Sequence, residues 1–329
     1  MTILLTLDYE LFLNDYTGTV ENCLIKPMKE FCNLCKRKGI SSTIFVDAAY
    51  IYMLQKYKDI YPNLARDYNN VISNIRLLHS EGHDIQLHIH PQWYYSSYDG
   101  HSWQLDWKHY KLSDIPKEEA FSLFKESKDL LDSIIGKKTN AFRAGGYSIQ
   151  DFDYYNCFKL NGIIADSSVL TGSKVKHHTH SYDYIKAPVN YYRFSSDICT
   201  RDSNGSFYEF PIASGKRQFI FDYLNKKRKA LRNDVKNWGD GGDKPLKGVK
   251  RILRILKSFQ LFKLPHATID YQSYYHLYPI YCMYKREDIM TVIGHPKNFS
   301  ISSLEYLEKF IDLAHKEGAK FMRISDMIK

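Results

Sequence analysis

The sequence predicts an α/β fold of the barrel type. Three observations point there. Strand-like apolar runs alternate with helix-patterned segments over 329 residues, an order that implies parallel strands flanked by helices. The polar residues able to do chemistry fall where those runs end, the rim at which α/β folds bind ligands. The chain is long for one domain, yet α/β barrels reach this size as a single unit, so residues 1–329 are read as one domain.

The elements follow in order. Ile3–Tyr9 is a near-continuous apolar run, as in a strand buried on both faces. Residues 20–38 have helical spacing and stop at Gly39. Ser42-Thr43-Ile44-Phe45-Val46 is short and β-branched, a second strand. Residues 62–80 read as a long helix stopped by Gly82, and Asp84–His90 as a third strand. A helix over 116–135 ends at Gly136, and Asn140–Arg143 is a fourth strand opening onto Gly145-Gly146. Residues 149–160 are helical, Gly162–Val169 is a fifth strand and Phe207–Phe210 a sixth. Met290–Gly294 is the seventh, followed by a helix at 302–317 and a last strand at Lys320–Ile324. No internal repeat or low-complexity tract interrupts the pattern.

Composition narrows the function classes. A hydrophobic fraction of 44% and an aromatic fraction of 15% exclude a disordered chain. The start lacks a basic leader and meets Asp8 and Glu10 before a secretory apolar stretch could finish. No window of about 18 apolar residues exists, so a cytoplasmic protein is expected. Six cysteines in a chain this long do not make a disulfide scaffold. Cys32-x-x-Cys35 lies in a helix-patterned stretch and no second pair follows at zinc-site distance, so it is read as structural.

The net charge of +9 belongs to one segment. Residues 216–263 hold fifteen Lys or Arg against four acids, a net +11, which leaves −2 for the rest. Within it, 248–259 places Ile252, Ile255, Leu256 and Phe259 on one helical face and basic residues on the other. The reading preferred is an inserted helix packed on the barrel with a solvated basic face. The competing one is a lid or interfacial helix meeting anionic lipid at the inner membrane, or a phosphate-bearing glycan precursor. No base-reading motif accompanies the charge, so nucleic acid is not an expected partner.

The candidate site residues come from five segments. Asp8-Tyr9-Glu10 ends the first strand, and period two puts both carboxylates on one side. They suit a metal ligand and a general base, or they are solvated turn acids. In Gln86-Leu87-His88-Ile89-His90-Pro91 the imidazoles of His88 and His90 share one face, about 7 Å apart along the strand. They can converge on one ion. Arg143, before Ala144-Gly145-Gly146, can hold a carboxylate bidentately or merely cap a loop. His295, in Gly294-His295-Pro296, can be a general acid oriented by an acidic partner, for which Asp166 is the candidate. Trp93, Tyr94, Tyr95, Tyr98, Trp103 and Trp107 crowd the loop after His90, either to stack on sugar rings or to fill the loop's own small core.

Asp-x-Glu, His-x-His-Pro, Arg-x-Gly-Gly, Asp-Ser-Ser and Gly-His-Pro, in that order from Thr6 to about Lys297, resemble the polysaccharide deacetylases (carbohydrate esterase family four, NodB-homology fold). The resemblance implies a distorted (β/α)7-type barrel, here with a basic helical insertion at 216–263. It also implies a divalent metal, usually zinc, that serves hydrolysis of an N-acetyl or O-acetyl group on a carbohydrate or glycan precursor. Carried over by position, Asp8 would be the general base, Glu10 and His88 metal ligands, Arg143 the partner of Asp8, and Asp166 the group that tunes the acid His295. His90 is taken as the second imidazole on strand geometry, because Gln92 stands where many members of that family have a histidine. Glu10 replaces a more usual aspartate, and the Pro-Tyr often found after the arginine is missing, which leaves Gly146 or Tyr147 N–H as the oxyanion contact. Two other functions stay open: hydrolysis of a non-acetyl amide, and a catalytically silent glycan-binding or assembly protein.

Overall fold

The computed structural model describes residues 1–177, 179–215, 236–244, 266–270 and 274–328. The amphipathic stretch 248–259, and all of the basic segment except 236–244, lie outside the described residues.

Thirteen strands are described: β1 (Thr2–Tyr9), β2 (Thr43–Asp47), β3 (Asp84–Ile89), β4 (Ser97–Tyr98), β5 (Trp103–Gln104), β6 (Ala141–Ala144), β7 (Ala165–Asp166), β8 (Lys174–Lys176), β9 (Ser181–Asp183), β10 (Tyr192–Phe194), β11 (Phe207–Glu209), β12 (Ile289–Gly294) and β13 (Lys320–Met322). Nine of them form one curled sheet in the order β10-β11-β7-β6-β3-β2-β1-β12, with β13 also on β1. Every neighbouring pair is parallel except the β10–β11 edge. One edge of β1 is shared: β13 takes Thr2–Leu4 and β2 takes Thr6–Tyr9. The sheet comes round on itself through single bridges, Leu170↔Ile212 and Ile212↔Thr291, where a full ladder would need a longer strand. Those two bridges are parallel; an antiparallel one, Ser214↔His266, joins the residues that flank the basic segment. The eight strands expected from the apolar runs are thus the parallel strands of the barrel wall, the last of them ending at Met322, short of the expected Ile324. The hairpins β4–β5 and β8–β9 and the reversed edge strand β10 are additions the periodicity did not announce.

The described α-helices are α1 (Lys26–Lys38), α2 (Ala48–Tyr57), α3 (Pro62–Ser80), α4 (Lys117–Ile135), α5 (Tyr154–Asn161), α6 (Tyr274–Tyr284), α7 (Ile301–Lys316) and α8 (Ile324–Met327). A short π-helical turn, Glu21–Ile25, leads into α1. Gly39 ends α1 at φ 65°, a left-handed position that costs a side chain roughly 1–2 kcal/mol. Ser300 opens α7 with a reciprocal cap, its hydroxyl accepting from Ser303 N–H while its own N–H donates to Ser303 Oγ.

Alternation along β1 divides the core in two. Ile3, Leu5, Leu7 and Tyr9 join the large cluster under the helices, with Ile44, Val46, Leu87 and Ile89. Leu4 points the other way, into a small cluster with Phe45, Ala141, Ala165, Phe210, Ile289 and Ile324 that floors the barrel. The same parity carries Thr6, Asp8 and Glu10 up the inside wall above that floor, and all three are buried.

Candidate active site

Asp8 and Glu10 leave the top of β1 on the inner face. Opposite Asp8, Arg143 stands next to last in β6 with no solvent exposure. Its Nη1 donates to Asp8 Oδ1 at 2.6 Å, its Nη2 to Thr6 Oγ1 (2.9 Å) and Ser167 Oγ (2.8 Å), and its Nε to the Ser167 carbonyl (2.8 Å). The guanidinium plane rests 4.3 Å from the Phe45 ring centroid. A buried cation is tolerated only when paired and hydrogen-bonded, and this one is held on every side.

Glu10, His88 and His90 come together beside it, their ligand atoms all within 4.8 Å of one another. Glu10 Oε2 lies 2.5 Å from His90 Nε2 and 3.2 Å from His88 Nε2. His88 Nδ1 sits 2.7 Å from the Arg143 carbonyl oxygen. A carbonyl can only accept, so Nδ1 carries the proton and a neutral ring turns the lone pair of Nε2 toward Glu10. A lone pair facing a carboxylate requires a cation or a second proton between them. The donor set therefore fits a divalent metal: two imidazoles and a carboxylate, one ring backed by a carbonyl as metal-ligating histidines usually are. The His90 ring, by contrast, has an unpartnered buried Nδ1.

Two charged groups sit against this cluster that sequence reasoning missed. Lys297 Nζ donates to Glu10 Oε1 and to the Leu11 carbonyl, both at 2.8 Å. Burial opposes ionisation of Glu10, but Lys297 and the two imidazoles outweigh it and hold the carboxyl well below its ordinary range. Asp47, at the end of β2, accepts from His90 N–H (3.2 Å) and Trp93 Nε1 (2.9 Å), and burial raises its pKa.

His295 follows β12, its Nε2 3.6 Å from both Asp8 Oδ2 and Glu10 Oε1. Its orienting acid is Asp270: Nδ1 meets Asp270 Oδ2 at 2.5 Å, the His295 N–H donates to Oδ1 at 2.7 Å, and Asn298 Nδ2 adds 3.2 Å. Burial disfavours the imidazolium, yet Asp270, Asp8 and Glu10 overcome it and push the His295 pKa up to about 9.

Asp166 does not fill that role, which corrects the sequence reading. Ala165 is in the barrel floor and Ser167 bonds Arg143, so alternation turns Asp166 to the opposite face of the sheet. There it accepts from Ser168 N–H (2.7 Å) and Ser168 Oγ (3.0 Å) and pairs with its register neighbour Glu209. Burial raises both carboxyls, Asp166 to about 6, and the Asp166 charge beside it raises Glu209 as well. The pattern that would have found Asp270 and Asp47 was present: each ends a short apolar run, Ala267-Thr268-Ile269-Asp270 and Ile44-Phe45-Val46-Asp47, as Asp8 does.

The aromatic loop after His90 packs on itself. Trp93 is fully buried, with Tyr50 at 4.9 Å and Trp103 at 5.2 Å between ring centroids, and Tyr98 meets Trp103 at 5.2 Å. Trp107 remains exposed. A different ring, Tyr110, stands beside the rim: it lies over Gly146 and stacks on His180 at 5.3 Å.

Comparison with solved structures agrees with this architecture. The chain matches a protein from Mycobacterium smegmatis described as a polysaccharide deacetylase, with a TM-score of 0.52 and 12% identity over 99% of this chain and 88% of that one. The fold is that of the polysaccharide deacetylases. Two further matches are looser: a protein from Pseudomonas aeruginosa PAO1 described as a polysaccharide deacetylase (TM-score 0.48, 11% identity) and the allantoinase PuuE (0.46, 12%), each covering 99% of this chain and 88% of the other. No family model and no curated protein matches the sequence. The deacetylase fold brings Asp8, Glu10, His88, His90, Arg143 and His295 to one rim and leaves Asp166 behind the sheet. Among the described residues no helix is long and apolar enough to cross a membrane.

Proposed function

We propose that the protein is a metal-dependent hydrolase that removes an acetyl group, N-linked or O-linked, from a sugar of a surface polysaccharide or its precursor. One observation carries this reading: Glu10, His88 and His90 converge with the His88 proton turned away, a donor set suited to zinc. Such an ion, when bound, supplies Lewis acidity toward the acyl oxygen.

The chain's own residues supply the rest. Arg143 fixes Asp8 through Oδ1 and leaves Oδ2 facing the site. Asp8 accepts a proton from the attacking water as its oxygen bonds to the acyl carbon. His295, protonated and held by Asp270, donates to the leaving amine nitrogen as the carbon–nitrogen bond breaks. Beside the rim runs a groove of about 910 Å³, lined in part by Leu11, Asn63, Arg66, Asp67 and Gln104, polar enough for flanking sugar units.

The test is acetate release from N-acetylated glucosamine oligomers by the zinc-loaded chain. Asp8→Asn is expected to lower the rate by about 10²–10⁴-fold, the usual weight of a general base. Absence of acetate from zinc-loaded protein on any acetylated glycan would overturn the reading. A second reading, a silent glycan-binding protein, is favoured by the ammonium of Lys297 on Glu10, a cation already in place. Sugar binding unchanged by chelation, with no turnover, would select it.

A further inference from the structure

We propose that Lys297 is a positioning residue that confines Glu10 to one oxygen on the metal and so keeps a coordination position open for substrate. The inference rests on the metal-dependent reading of the site and adds to it a reason for the buried lysine. Glutamate alone does not settle which oxygen faces an ion, because its last side-chain torsion is broad. Here the two oxygens are divided. Oε2 turns to His90 Nε2 at 2.5 Å and His88 Nε2 at 3.2 Å. Oε1 accepts from Lys297 Nζ at 2.8 Å, with His295 Nε2 3.6 Å away. Asp8 is divided in the same way, with Oδ1 on Arg143 and Oδ2 toward the site. Each carboxylate has one oxygen tied to a buried cation and one left for chemistry.

The number of donors is what the lysine decides. Catalytic zinc keeps three protein ligands and an open fourth position, whereas four protein donors close the site. His88, His90 and Glu10 Oε2 make three. Were Oε1 free to swing in, the same three residues would supply four. The ammonium is built to oppose that swing. It comes from the 3₁₀ turn Pro296–Asn298, where Asn298 N–H donates to the His295 carbonyl at 2.8 Å. Gly239 packs against the Lys297 carbonyl where no Cβ fits. Nζ also donates to the Leu11 carbonyl at 2.8 Å and stands 5.2 Å from the Phe12 ring centroid. Turning Oε1 away would leave this buried cation without its carboxylate, which is strongly unfavourable. The ammonium also draws on the carboxylate charge and repels a bound ion, which loosens the metal while sharpening its Lewis acidity. A lysine that only stapled the turn to the end of β1 would act in the opposite sense, since its loss would loosen the metal.

Cobalt(II) is the probe, because it takes zinc's ligands and is coloured. Lys297→Met keeps the stem and removes the charge. The cobalt-loaded variant is expected to hold its ion against a chelator about tenfold more tightly than the wild-type chain. It should also lose the shift of the visible band that imidazole, an uncharged ligand for an open position, produces in the wild-type protein. Equal or looser retention, or an imidazole shift that survives, would overturn the proposal. Should Lys297→Met fail to fold, X-ray absorption of the zinc-loaded wild-type chain decides. The short zinc–carbon distance of a carboxylate bound through both oxygens would overturn the proposal, and its absence would bear it out. None of these readouts is acetate release. A wild-type chain that answers imidazole yet frees no acetate would end the hydrolase reading and leave Lys297 in its role; one that takes up no cobalt would end both.

Discussion

His295 faces two carboxylates across the rim and a third behind it, and the three are not equivalent. Asp8 and Glu10 stand 3.6 Å from Nε2, whereas Asp270 grips Nδ1 at 2.5 Å. In the metal-free chain the ring is expected to titrate near 9 by NMR, against an ordinary value of 6.5. The stability it contributes is complete below 6.5, because a raised pKa favours the folded protonated form, and is lost as pH climbs through 9. Asp270→Asn should bring the titration back toward the ordinary range and shrink the loss of stability between those limits. A variant that still titrates near 9 would remove Asp270 from its role. At this scale the sequence was readable where the rule is local: period two on a strand puts Asp8 with Glu10 and His88 with His90 without knowledge of any neighbour. It failed where the partner is chosen in three dimensions. Asp166 and Asp270 both sit near strand ends, and only the parity of β7 against Arg143 tells that one faces away.

The turn after β6 shows what one element demands of its residues. A Cβ on Gly145 would lie 2.6 Å from both His90 Nδ1 and the Ile89 carbonyl oxygen. The backbone therefore passes against the ligand ring at a distance that no side chain allows. Gly145→Ala is expected to destabilise the fold by about 1–3 kcal/mol through this overlap and to loosen zinc retention by turning His90. Retention at the wild-type level, measured against a chelator, would count against His90 as a ligand. Next to it Tyr147 has φ 60°, a strained value for a bulky residue, and its carbonyl accepts from Tyr184 Oη. The long elements were legible because buried parallel strands read as unbroken apolar runs and long helices show their spacing. Helix α2 was not, since Ala48 continues directly from β2 with no turn residue to mark the change. The hairpins β4–β5 and β8–β9 have strands of two or three residues, too short for alternation to register.

For the molecule as a whole, the barrel is wall, floor and seam. Its floor is plugged by Ile324, fully buried among Leu4, Phe45 and Phe210, with its N–H on Thr43 Oγ1 at 2.9 Å. Ile324→Ala should destabilise the protein by about 2–5 kcal/mol, the range for large-to-small changes in a tight core. Denaturant unfolding that shows under 1 kcal/mol would mean the floor collapses around the gap. Eight parallel strands could be counted from the sequence, but how they close could not, since that depends on Ile212 touching β12 across a long intervening stretch. The bridge from Ser214 to His266 has a consequence for descent. A stretch whose two ends already touch can grow, shrink or be exchanged between generations at small entropic expense, because closure depends only weakly on length. Here, though, the stretch is also stitched to the barrel in its middle, where Trp238 N–H donates to the Phe299 carbonyl and Asp240 accepts from Thr19, so any heir that refits the handle must keep those few stitches beside the blade.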